Sequence, residues 1–78
     1  MGILSNISGK VALKAFTKAG YHLERQEGSH MILYCSQPGK PPLSLPNHKE
    51  LAPGLIRSQI KRAGLTVNEF RQLLKGKS

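Results

Sequence analysis

Seventy-eight residues make one domain and leave no room for two. A chain this short buries only about 60% of its unfolded surface, which excludes a deep pocket around a large cofactor. Twelve Lys and Arg face four Glu and no Asp, a formal net charge of +8. Such a field draws polyanions, nucleic acid first and anionic membrane second, or else serves only solubility. Two Phe and two Tyr are too few for an extended base-stacking platform.

Cys35 is the single cysteine, so no internal disulfide can form, and its expected role is a small buried hydrophobe in a reducing compartment. Met1 to Ile7 has neither the basic region nor the apolar stretch of a secretory signal. No apolar run approaches the ~20 residues that span a bilayer. The expectation is a cytoplasmic protein.

In chain order, residues 1–7 read as a loose lead-in. Ser8 can cap a helix over Gly9 to Ala19, because its hydroxyl can accept an orphan backbone N–H. Val11, Ala12, Ala15, Phe16 and Ala19 share one helical face, with Lys10, Lys14 and Lys18 in a row beside it. Gly20 supplies the left-handed position that ends the helix. The period then changes. Tyr21 and Leu23 alternate with His22 and Glu24 in a half-buried strand over Tyr21 to Gln26. Glu27-Gly28-Ser29 is a turn, and His30 to Cys35 is apolar enough for a central strand covered on both faces.

After a Pro38-Gly39 turn, Leu43-Ser44-Leu45 forms a third strand. Pro42 and Pro46 bracket it, lack ladder donors and confine it to an edge. Asn47 to Glu50 is a connection. Pro53 opens a helix to about Ala63 with Leu55, Ile56 and Ile60 inward, and Gly64 ends it. Thr66 and Glu69 have capping-box spacing for a last helix with Phe70, Leu73 and Leu74 on its apolar face, and Leu65 can staple onto Phe70. Residues 75–78 read as a frayed basic tail. The order is helix, three antiparallel strands, helices: an α+β sandwich with the helices on one face of the sheet.

Several chemistries drop out. Four scattered Glu and one Cys make no metal cage, and Gly9-Lys10 lacks the glycine spacing of a phosphate loop. Cys35, inside an apolar strand, is a poor nucleophile. Histidine remains, because imidazole can take and return a proton near neutrality. RNA cleavage needs such a group, since the 2′-hydroxyl must lose a proton to attack the adjacent phosphate and the leaving oxygen must gain one. His22, on the polar side of the first strand, is expected in solvent. His30 follows Gly28-Ser29 at the mouth of the second strand, where glycine permits close approach and the Ser29 hydroxyl can donate to phosphate. His48 lies in a loop. Spacing alone leaves a packing role open for His30 and a backbone-bonding role open for His48. It likewise leaves the lysine row, Arg57, Lys61, Arg62 and Arg71 open between phosphate contacts and ordinary solvated charge.

Taken together, these blocks resemble the HicA toxin family, small RNA-cleaving partners of HicB antitoxins. The resemblance runs from Ser8 to Leu74. It rests on Ser8-Gly9-Lys10, Lys18-Ala19-Gly20-Tyr21, Arg25-Gln26-Glu27-Gly28-Ser29-His30, and Leu45-Pro46-Asn47-His48-Lys49-Glu50-Leu51. Pro53-Gly54, Ile60-Lys61-Arg62-Ala63-Gly64-Leu65 and Glu69-Phe70 complete it. It implies one domain over residues 8–74, with a fold like the double-stranded-RNA-binding domain and an α-β-β-β-α core. It implies metal-independent cleavage of mRNA with His30 as the catalytic histidine, no cofactor, and neutralisation by a HicB-like antitoxin. Ser29, Lys10, Lys14 and Lys18 are the expected RNA contacts, and the free toxin is expected as a monomer. Leu33 stands where the family often has an aromatic, and Tyr34 follows it. The alternative function is a module of the same fold that binds RNA or protein without cutting.

Overall fold

The computed structural model describes residues 6–75. Residues 1–5 of the expected lead-in and 76–78 of the expected tail lie outside that range. Six elements follow in order: α1 (Gly9–Lys18), β1 (Tyr21–Glu27), β2 (His30–Cys35), β3 (Leu43–Pro46), α2 (Pro53–Arg62) and α3 (Val67–Leu74). The strands form one antiparallel sheet in the order β1-β2-β3, and the helices pack on one of its faces. This is the α+β arrangement of the double-stranded-RNA-binding domain.

Local chemistry fixes the helix ends. The Ser8 hydroxyl accepts the Val11 N–H at 3.1 Å and starts α1. The Thr66–Glu69 capping box forms in both directions, at 2.8 and 3.0 Å, and starts α3; such a cap contributes about 1 kcal/mol. Gly20, at φ +108°, turns the chain from α1 into β1 through a conformation that a side chain would strain.

The core lies between the sheet and the helices. Met31 and Leu33 of β2 and Leu43 and Leu45 of β3 point into it, meeting Ala12, Ala15 and Phe16 of α1, Ile56 and Ile60 of α2, and Phe70 of α3. Phe16 stacks obliquely on Phe70 with ring centroids 4.9 Å apart, and meets Tyr21 edge-on at 6.2 Å. Ile7 is also buried, and its carbonyl accepts the Leu51 N–H at 2.8 Å, so the packed body begins before α1 and takes in a residue read as lead-in.

Four expectations need correction. The second strand is covered on one face only: Met31 and Leu33 are buried, while Ile32 is half-buried and Tyr34 exposed on the other side. Among the described residues there is one helical layer, and none of them covers the second face. Leu23 is exposed: Tyr21 is the one buried residue of β1, and a bulge interrupts the ladder between Leu23 and Arg25. Val11, assigned to the apolar face of α1, is 43% exposed at the start of that helix. In α2, Leu55 is only half-buried, and the unexpected inward residue is Gln59. Its side-chain oxygen accepts the Ser44 N–H at 3.3 Å, so α2 occupies a donor on the outer edge of β3 that would otherwise invite a foreign strand.

Candidate functional site

His30 stands at the first position of β2, directly after a two-residue turn. Glu27 pairs with His30 across that turn, and Gly28 sits in it at φ +61°. A glycine at the first central position relieves the backbone there. Side chains alternate along β2, so His30, Ile32 and Tyr34 share the face opposite the core. His30 is therefore exposed on the uncovered side of the sheet.

Its neighbour on that face is Ser44. β3 pairs with β2 so that Pro46 lies opposite His30 and Ser44 opposite Ile32. The Ser44 hydroxyl reaches diagonally to within 3.5 Å of His30 Nδ1. That is long for a hydrogen bond. With Nδ1 turned toward Ser44, Nε2 is the ring nitrogen outside that contact. Ser44 was not among the residues singled out from the sequence. The alternation Leu43-Ser44-Leu45 carries the signal, because two core-facing leucines put the serine on the opposite face.

The residues that were singled out are spread around this point. Ser29 is exposed in the turn, and its carbonyl accepts the Asn47 N–H at 2.6 Å, tying the end of β3 to the residue before His30. Lys10 lines a hollow of about 330 Å³ with Ser8, Asn47, His48 and Lys49, at the same end of the sheet. His48 is exposed, and its backbone carbonyl accepts the Gly9 N–H at 2.9 Å. Lys14 and Lys18 are further along α1, in the helical layer and away from the His30 face. Lys18 Nζ donates to the Leu73 carbonyl at 3.3 Å, so it also caps the end of α3. His22 is exposed on β1, 3.7 Å from Glu24.

A second hollow of about 480 Å³ crosses the open face from β1 to α2. Arg25, Ile32, Tyr34, Ser44, Ser58 and Arg62 are among its lining residues. Arg25 Nε donates to Glu27 at 2.6 Å, and this bond, followed by the nearby Tyr34 hydroxyl, raises the guanidinium pKa further and keeps it charged. Arg62 leans on the Pro42 carbonyl through two nitrogens at 3.4 Å. Among the described residues, no three His, Cys, Asp or Glu gather as a metal-ligand group, and no helix is long and apolar enough to cross a membrane.

A three-stranded antiparallel sheet with helices on one face and an exposed histidine on the other defines a small α+β domain of the double-stranded-RNA-binding type. The family model described as the HicA toxin of bacterial toxin–antitoxin systems matches residues 9–65, most of the chain. The chain belongs to the HicA toxin family. No curated protein and no solved structure matches it.

Proposed function

We propose that this protein is an endoribonuclease toxin that cleaves mRNA in the cytoplasm, without a cofactor, through acid–base catalysis by His30, and that a HicB-like antitoxin silences it by covering the open sheet face. The observation that carries the reading is His30 itself: an exposed imidazole beside the Ser44 hydroxyl, on the bare side of the sheet, in a HicA-family chain.

The chemistry balances with the groups at hand. If Nδ1–H is donated to Ser44, Nε2 carries the lone pair that accepts the 2′-hydroxyl proton. The 2′-oxygen then attacks the adjacent phosphorus, and the bond from phosphorus to the 5′-oxygen breaks. The leaving oxygen takes a proton, from the imidazolium or from water. The products are a 2′,3′-cyclic phosphate and a 5′-hydroxyl. Ser29 and Lys10, at the same end of the sheet, are proposed to hold phosphates close to the cut. Lys14 and Lys18 are proposed to contribute longer-range attraction from the helical layer. Such contacts supply affinity and salt dependence, and carry no base preference.

Expression in a bacterial host tests the proposal. Wild type should arrest growth, His30→Ala should not, and co-expression of a HicB-like partner should restore growth to the wild type. Arrest by His30→Ala at equal protein level would favour a module that sequesters RNA or protein without cutting.

A further inference from the structure

The open face carries a feature that catalysis by one histidine does not require. The hollow between β1 and α2 is built from separate parts of the chain around Tyr34. Among the described residues, Tyr34 is the single exposed aromatic: Phe16, Phe70 and Tyr21 are buried, while Tyr34 is 41% exposed. Arginines stand on either side of it, Arg25 from β1 and Arg62 from the last turn of α2. The bulge in β1 is what brings Arg25 to this face. An uninterrupted ladder from the Leu23–Leu33 pair would set Arg25 opposite the core-facing Met31; the extra residue sets it opposite Ile32 instead. Bulges commonly re-aim a side chain in this way.

From this arrangement we infer that the hollow is a subsite for one unpaired nucleotide of the RNA strand, with its base stacked on the Tyr34 ring and its flanking phosphates held by Arg25 and Arg62. Three observations support that occupant. The volume of about 480 Å³ is in the range of small-ligand sites and suits a single nucleotide. One exposed ring between two cations is the combination that single strands exploit, and a base paired inside a duplex cannot stack on it. Ser44 lines the hollow and also lies 3.5 Å from His30 Nδ1, so an occupant sits next to the proposed reacting centre. Both guanidinium groups keep donors to spare: of five N–H groups, Arg25 commits Nε to Glu27 and lies beside the Tyr34 hydroxyl, and among the described residues Arg62 makes two long contacts to Pro42.

The inference rests on the RNA-cleaving reading, yet it can fail alone. The test is binding, measured by fluorescence anisotropy with a single-stranded 2′-fluoro oligonucleotide of mixed sequence, which keeps the bases and lacks the attacking hydroxyl. Wild type, Tyr34→Ala and Tyr34→Phe are compared, each checked for folding by circular dichroism. Loss of one stacked base should weaken binding about 5- to 150-fold in Tyr34→Ala. Tyr34→Phe keeps the ring and should bind within about twofold of wild type. An abasic residue walked along the oligonucleotide should cost affinity at one position in the wild type and nothing further in Tyr34→Ala, as expected when both changes remove the same contact.

Equal binding by Tyr34→Ala and wild type overturns the subsite. So does a loss confined to antitoxin affinity with RNA affinity intact, which would assign the face to a protein partner. Neither result touches the assignment of His30, which the cleavage assay of His30→Ala decides separately.

Discussion

Ser44 Oγ lies 3.5 Å from Nδ1 of His30, across two neighbouring strands and on the face of the sheet opposite the three helices. The pairing exists because Leu43 and Leu45 on either side of Ser44 are core residues, which leaves the serine no direction but outward. It gives the imidazole a preferred orientation, with Nε2 outside the contact.

Removing that hydroxyl should therefore hinder catalysis without abolishing it. A single hydrogen bond contributes a net 0.5–1.5 kcal/mol, so Ser44→Ala should lower RNA cleavage about 2- to 12-fold. Ser44→Thr, which restores the hydroxyl, should recover most of the rate. A rate unchanged in Ser44→Ala would show that the contact does not position His30.

Gly9 packs close against the end of β3 at the His30 end of the sheet. A methyl group there would run into the Pro46 carbonyl, a backbone atom that cannot move aside cheaply, and would crowd Met31. Gly9→Ala should cost about 1–3 kcal/mol through overpacking. At about 4–8 °C per kcal/mol for a domain of this size, the fall in Tm is easily measured. An unchanged Tm would mean that α1 and β3 can separate without penalty.

The α1 lysines divide by their surroundings. All three are exposed, and Lys18 also donates to the Leu73 carbonyl at the end of α3. Lys10→Ala and Lys14→Ala should weaken RNA binding equally on all sequences. Each lost phosphate contact should flatten the salt slope by about 0.7 for a single strand. Lys18→Ala should do the same and also lower Tm, because it uncaps α3. If the triple variant keeps the wild-type slope, the row is solvated surface.

Tyr21 gives an alkaline signature of the core. Its hydroxyl donates to the Pro41 carbonyl at 2.9 Å. Burial, and then the Cys35 thiol, push its pKa above 10.0, against a smaller opposing pull from Arg62. A native value above the unfolded one means that this stabilisation is complete below the unfolded value of about 10. It is lost as pH rises through the raised native value. Tyr21→Phe should cost about 0.5–1.5 kcal/mol at neutral pH. It should also flatten the fall of urea midpoints above about pH 10, where the unfolded tyrosine ionises. Parallel curves for the two proteins would contradict this.

The sequence made local features legible and left long-range ones hidden. Ser8, Gly20, Pro53 and the Thr66–Glu69 pair announce helix boundaries because capping and turn chemistry act over three or four residues. His30 to Cys35 is legible as a strand, and its place in the middle of the sheet follows from short connections. Which face of that strand is bare was not legible, since Met31, Ile32, Leu33 and Tyr34 are apolar at both parities. The bulge after Leu23 has no glycine or proline to mark it, so the exposure of Leu23 and the turning of Arg25 toward Tyr34 could not be read. Gln59 and Arg62 join the open face through packing of α2 along β3, a relation between residues 15 to 20 positions apart.

The most direct test of the account is RNA cleavage by purified His30→Ala, followed with a single-stranded substrate and its products resolved by end chemistry. General acid–base catalysis contributes about 10²–10⁴-fold, so the variant should cut slower by at least that factor while folding and binding RNA as wild type does. Wild-type cleavage should continue in EDTA and leave 2′,3′-cyclic phosphate ends. A folded His30→Ala that cuts at the wild-type rate, or wild-type cleavage that stops in EDTA and returns with a divalent ion, would contradict it.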